Sequence, residues 1–113
     1  DYLIGGTMSE YIPDAWVVLE FTSKEFGTIQ KVLGGWSGGY LDGDSWRLSS
    51  GITGIEETDT EWIFTNTSGS IYHCYKSSRQ FNMMSSSIYK YYVEEISKLD
   101  DATLKIIEFT RND

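Results

Sequence analysis

Ala15-Trp16-Val17-Val18-Leu19-Glu20-Phe21 is a nearly unbroken apolar run of strand length. Successive side chains on a strand point to opposite faces, so both faces of this one carry apolar groups. That pattern predicts a central strand covered on two sides. Pro13-Asp14 closes the loop before it. Residues 22–26 read as a turn. Residues 27–33 then alternate, with Ile29, Lys31 and Leu33 on one side and Thr28, Gln30 and Val32 on the other. A hairpin between the two strands is the simplest reading.

Residues 34–44 follow, and five of the eleven are Gly. So much glycine costs backbone entropy in either a helix or a strand. A loop carrying Trp36 and Tyr40 is expected. Residues 45–76 read as a meander. Trp46 and Leu48 share a face, whereas Ile52 and Ile55 are three apart, so a bulge is expected near Gly54. Residues 57–60 form a polar turn. Trp62 and Phe64 alternate on the next strand, and Ser68-Gly69 turns the chain, with Gly69 suited to positive φ. Tyr72 and Cys74 then face one way, with Ile71, His73 and Tyr75 facing the other.

Residues 77–84 connect to a helix. Ser85, Ser86 and Ser87 supply N-cap candidates. Ile88, Tyr91, Tyr92, Ile96 and Leu99 form its apolar stripe, and Glu94 and Lys98 make an i, i+4 pair. Asp100-Asp101 ends the helix, and residues 102–109 return as a strand. The expected fold is α+β: a mainly antiparallel sheet of five or six strands, with one amphipathic helix (residues 87–99) packed on one face.

The chain has 113 residues, which fits one domain. Met8 opens Met-Ser-Glu-Tyr-Ile-Pro, so the domain is expected to span residues 8–113, with residues 1–7 an appended remnant or a disordered N-terminus. Four Trp, eight Tyr and five Phe exclude a disordered chain and leave aromatics to spare for an interface, so a homodimer is an open expectation. The lone Cys excludes a disulfide scaffold. A net charge of −8 disfavours sequence-independent nucleic-acid binding. No apolar run reaches membrane-spanning length, and no basic segment leads an apolar one, so the expected compartment is a reducing cytoplasm. Asn66-Thr67-Ser68 matches a glycosylation sequon and reads as chance in that compartment.

Gly35-Trp36-Ser37-Gly38-Gly39 matches G-x-S-x-G, but a nucleophile elbow needs a helix after the Ser, and none is expected there. Asp42-Gly43-Asp44 lacks the further oxygen ligand of a calcium loop, since Trp46 stands at that position. His73 and Cys74, one of each type in the chain, point to opposite faces and cannot pair. Zinc needs more such ligands than the chain has. Neither a P-loop nor a dinucleotide fingerprint is present. No metal and no cofactor are expected.

The charges are unevenly spread. Residues 1–61 carry 11 acids and 3 bases, whereas residues 62–93 carry no acid at all. That second stretch holds His73, Lys76, Arg79 and Lys90, and Ser85, Ser86 and Ser87 stand where a helix N-terminus favours an anion. Trp36, Tyr40, Tyr72 and Tyr75 could stack a base. These residues compose a candidate site for a small anionic, nucleotide-like ligand. Conversely, Asp42, Asp44, Glu56, Glu57, Asp59 and Glu61 compose a candidate surface for a basic partner protein.

The spacings Trp46-Arg47-Leu48-Ser49-Ser50-Gly51-Ile52 and Ser68-Gly69-Ser70-Ile71-Tyr72-His73-Cys74, with the Gly-rich string before them, resemble small bacteriophage-encoded proteins of unknown function. The resemblance implies a setting in the host cytoplasm, where such proteins bind host factors or sequester nucleotide defence signals. The expected function is therefore a non-enzymatic binding protein of that kind. The alternatives are a small nuclease or nucleotide-processing enzyme using His73 as a general base, and an acidic interaction or assembly module.

Overall fold

A computed structural model describes residues 9–39 and 43–109. In chain order these form β1 (Glu10–Tyr11), β2 (Ala15–Ser23), β3 (Gly27–Gly39), β4 (Gly43–Leu48), β5 (Ile52–Glu57), β6 (Glu61–Asn66), β7 (Ile71–Tyr75), a 3-10 turn (Lys76–Ser78), α1 (Met83–Ser97) and β8 (Ala102–Ile107). The fold is α+β, with two four-stranded sheets where one sheet of five or six strands was expected. One sheet has the order β1-β7-β6-β5, the other β4-β3-β2-β8. All pairings are antiparallel except β1 with β7.

Strand β2 explains the division. Its Trp16 and Val18 join Val32, Phe64, Tyr72 and Cys74 in a core between the sheets. Its Val17, Leu19 and Phe21 join Leu33 in a second core against α1. The layers are therefore sheet, sheet, helix, with β2 in the middle. Burying a large apolar side chain is worth about 1.5–3 kcal/mol. Both faces of one strand contribute here, as its composition predicts.

The hairpin from β2 to β3 turns on three residues, with Ser23 paired to Gly27 and Gly27 at φ 77°. That positive φ suits Gly at the end of a three-residue hairpin loop. Strand β3 does not stop at Gly34 but runs to Gly39, which corrects the expected Gly-rich loop. The reason is close approach. A Cβ on Gly34 would lie 3.1 Å from the Pro13 side chain, and one on Gly35 would lie 2.6 Å from the amide of Asn82. These glycines let neighbouring segments touch the strand backbone. Ser37 is on this strand with no helix after it, so the G-x-S-x-G match has no elbow.

The register slips between Ile52 and Gly54, as the parity of the two Ile residues predicts. Gly69 turns the chain at φ 91°. Asn66 is buried, and its amide nitrogen donates to the carbonyls of Phe64 and Ser70. The atom a glycan would use is thus committed inside the fold.

Helix α1 starts earlier than residue 87. Asn82 caps it: Ser85 N–H donates to Asn82 Oδ1 at 2.8 Å, and Asn82 N–H donates to Ser85 Oγ at 3.0 Å. This is a capping box with Ser in the third helical position. Ser85, Ser86 and Ser87 therefore lie inside the helix, and Ser85 is buried. The half-buried stripe packed on the sheet is Ile88, Tyr89, Tyr92 and Ile96; Tyr91 and Leu99 are exposed. Lys98 pairs with Glu95 rather than Glu94. No helix among the described residues is long and apolar enough to cross a membrane.

Candidate functional site

An open groove of about 670 Å³ lies at the seam where the chain leaves β7 and crosses to β2. The crossing is short and tied down. Lys76 N–H donates to Thr60 O at 2.9 Å, Gln80 N–H donates to Trp16 O at 3.0 Å, and Arg79 bridges to Trp16. Trp16 forms part of the floor, with its indole N–H donating to Tyr75 O at 2.7 Å. Trp62 and Phe109 pack at a tilt, 5.2 Å between centroids, and complete the aromatic lining with the half-exposed ring of Tyr75.

Two cations reach this lining. Lys76 Nζ sits 5.5 Å from the Trp62 ring centroid and pairs with Glu57. Arg79 pairs with Glu108 at 2.9 Å. Both Glu57 and Glu108 are more exposed than the cations they meet. Asp59 and Thr60 stand at the rim, from the turn between β5 and β6.

Of the expected anion-site residues, the groove brings together Lys76 and Arg79. His73 is elsewhere. On the outer face of its sheet it sits between Glu10, 2.7 Å from Nε2, and Glu61, 2.9 Å from Nδ1. Each ring nitrogen meets a carboxylate oxygen, and ionised carboxylates only accept hydrogen bonds, so the arrangement favours the doubly protonated ring. Burial alone would lower the pKa of His73; hydrogen bonds from the ring to Glu10 and Glu61, and their charges, outweigh it and raise it. The carboxylates flank the ring on opposite sides and do not converge. Among the described residues, no three His, Cys, Asp or Glu side chains are placed to hold a metal.

Trp36 lines a separate, shallower hollow with Tyr11 and Arg47. Ser85, Ser86 and Ser87 are not in the groove. Tyr40 lies outside the described residues, as does Asp42 of the candidate acidic surface. The other acids divide. Glu56, Glu57, Asp59 and Glu61 surround one hairpin end, while Asp44 stands on β4 in the other sheet. Glu57 is engaged with Lys76, and Glu61 with His73. Cys74 is buried, and burial raises its thiol pKa far above the usual range.

Sequence reasoning missed Trp16, Trp62 and Phe109 as groove residues, and missed Glu57 and Glu108 as counter-ions. The exposed Tyr75 next to Lys76 was the available signal.

The fold and groove together define a two-sheet α+β protein with an aromatic-walled, charge-bearing surface groove. Compared with known proteins, the chain matches no family model, no curated protein and no solved structure.

Proposed function

We propose that the protein is a non-enzymatic binding module that holds a small flat anion, nucleotide-like in chemistry, in the groove beside Lys76 and Arg79. One observation carries this reading: two cations and three accessible aromatic side chains, Trp62, Tyr75 and Phe109, meet at a single opening. Rings recognise planar ligands by stacking, and cations fix a phosphate or carboxylate. The groove volume is in the range of small-molecule sites, roughly 300–1,000 Å³. The lone imidazole and thiol are placed elsewhere, since His73 lies between two carboxylates outside the groove and the Cys74 thiol is buried. In the phage-like setting the sequence strings imply, such a module acts by sequestering a host or defence nucleotide.

Calorimetry against nucleoside monophosphates, triphosphates and cyclic dinucleotides tests the proposal, with Trp fluorescence as a second readout. Lys76→Ala and Arg79→Ala should each weaken binding by roughly ten- to a hundredfold, since a hydrogen bond to a charged group contributes roughly 1.5–3 kcal/mol. A panel in which nothing binds, or binding unchanged in the double variant, refutes it.

A further inference from the structure

The segment of residues 9–14 runs as a strap from one sheet to the other. At its far end it is well fixed. Pro13 is buried, Asp14 N–H donates to Gly35 O at 3.0 Å, and Asp14 Oδ2 accepts from Ser37 N–H at 2.9 Å. In its middle, the Trp36 indole N–H donates to Ile12 O at 3.0 Å. The Tyr11 ring lies 5.0 Å from that of Tyr72, with Arg47 4.5 Å from its centroid. At its near end the strap is held, among the described residues, by a short edge pairing. Strand β1 has two residues, on the edge of its sheet, and Ile71 N–H donates to Ser9 O at 2.9 Å. Among the described residues, Glu10 is tied there to His73 through its side chain.

We infer that His73 is a protonation-gated clasp: as an imidazolium bridging Glu10 and Glu61 it holds β1 on the edge of β7, and as a neutral ring it lets β1 go. The geometry sets this behaviour. A neutral imidazole has one N–H and so can satisfy just one of the two carboxylates. Its other nitrogen would face a carboxylate oxygen lone pair to lone pair. With the positive charge gone, Glu10 and Glu61 also repel each other across the ring.

The groups facing His73 come from three neighbouring strands as well as its own. They are Glu10 of β1, Glu61 of β6, Glu56 of β5 beyond Ile63, and Tyr75 of β7 on the same face. The acids all favour the charged ring. A raised folded-state pKa means the clasp contributes fully below the unfolded value of about 6.5 and is lost as pH rises through the folded one. Opening bares the edge of β7 and uncovers the Tyr72 ring, an unpaired strand edge beside an aromatic floor.

Amide hydrogen exchange of the whole chain by NMR tests the inference, with each rate divided by the intrinsic rate at the same pH. Protection of the Ile71 N–H should fall by about tenfold from pH 6 to pH 9, while amides of β2 stay protected. In His73→Gln that fall should vanish, with protection low throughout. Glu10→Gln changes an exposed side chain. It should lower the midpoint of the His73 ring titration and flatten the Ile71 profile, which keeps the test decisive if His73→Gln does not fold. A flat profile in the unaltered protein overturns the clasp. So does an undiminished fall in either variant.

Discussion

Replacing Gly35 by Ala should destabilise the protein by reaching across the fold to the cap of α1. The added Cβ would lie 2.6 Å from both Nδ2 and Oδ1 of Asn82, closer than such atoms can approach. Asn82 has little freedom to yield. Its Oδ1 accepts from Ser85 N–H at 2.8 Å, its Nδ2 donates to Ser37 Oγ at 3.3 Å, and its side chain is short. Moving it breaks the cap and leaves a donor of the buried Ser85 unsatisfied. Losing an N-cap costs about 0.5–2 kcal/mol. Replacing strand Gly by Ala gains roughly 0.5–1 kcal/mol in backbone entropy, and residual crowding costs about 1–3 kcal/mol. The net loss is therefore centred on about 2.5 kcal/mol, or a Tm lowered by roughly 10–20 °C for a domain of this size. Urea denaturation of Gly35→Ala, Asn82→Ala and the double variant isolates the mechanism. If the damage passes through Asn82, Gly35→Ala should cost nearly nothing once Asn82 is Ala, giving a coupling of about 1 kcal/mol or more. Additive losses would show that the glycine matters for some other reason.

Phe64→Ala should cost about 3–5 kcal/mol, because Phe64 is fully buried against Trp16 between the sheets; far-UV circular dichroism and Trp fluorescence should lose their native signals at one shared, lower urea concentration, and separate transitions would contradict a shared core. The Cys74 thiol should resist a thiol reagent at pH 8 in the native protein and react fully in denaturant, given its burial; rapid native labelling would contradict its placement. Glu108→Gln should strengthen anion binding in the groove several-fold by releasing Arg79 from its counter-ion; unchanged affinity in calorimetry would place Arg79 outside the binding contact.

Much of the fold was legible because local rules and tertiary packing agreed. The residues of β2 carry apolar groups on both faces, and β2 is the strand covered twice. Ile52 and Ile55 are out of phase, and the register slips between Ile52 and Gly54. The misreadings share a cause. Glycine content argued for a loop at residues 34–39, because local entropy is all a sequence shows. The compensation comes from Pro13 and Asn82, which are distant in the chain and need a bare backbone to pack against. Likewise, Ser85, Ser86 and Ser87 are good N-cap types. Asn82 is equally good and stands where the chain leaves the sheets, so position decided between them. The number of sheets was beyond local pattern altogether. A run of alternating strands has the same signature whether it closes on one sheet or folds back as two.

The candidate site shows the same division more sharply. A stretch of 32 residues without an acid, residues 62–93, read as a basic face. In the fold Lys76, Arg79 and His73 meet acids from other segments: Glu57 from β5 for Lys76, Glu108 after β8 for Arg79, and Glu10 and Glu61 for His73. Charge along a chain is therefore a poor map of charge in space. Pairing also separates the roles of these groups. The His73 ring is held on both nitrogens, so it serves the sheet edge. Lys76 and Arg79 each have one carboxylate partner, more exposed than themselves, and an aromatic wall alongside. An exposed ion pair contributes about 0–1 kcal/mol, so an incoming phosphate gives up little by displacing a glutamate, and its multiple oxygens can replace the contact. On the proposed reading, the two cations of the groove are thus open to an incoming anion at the cost of one weak ion pair each.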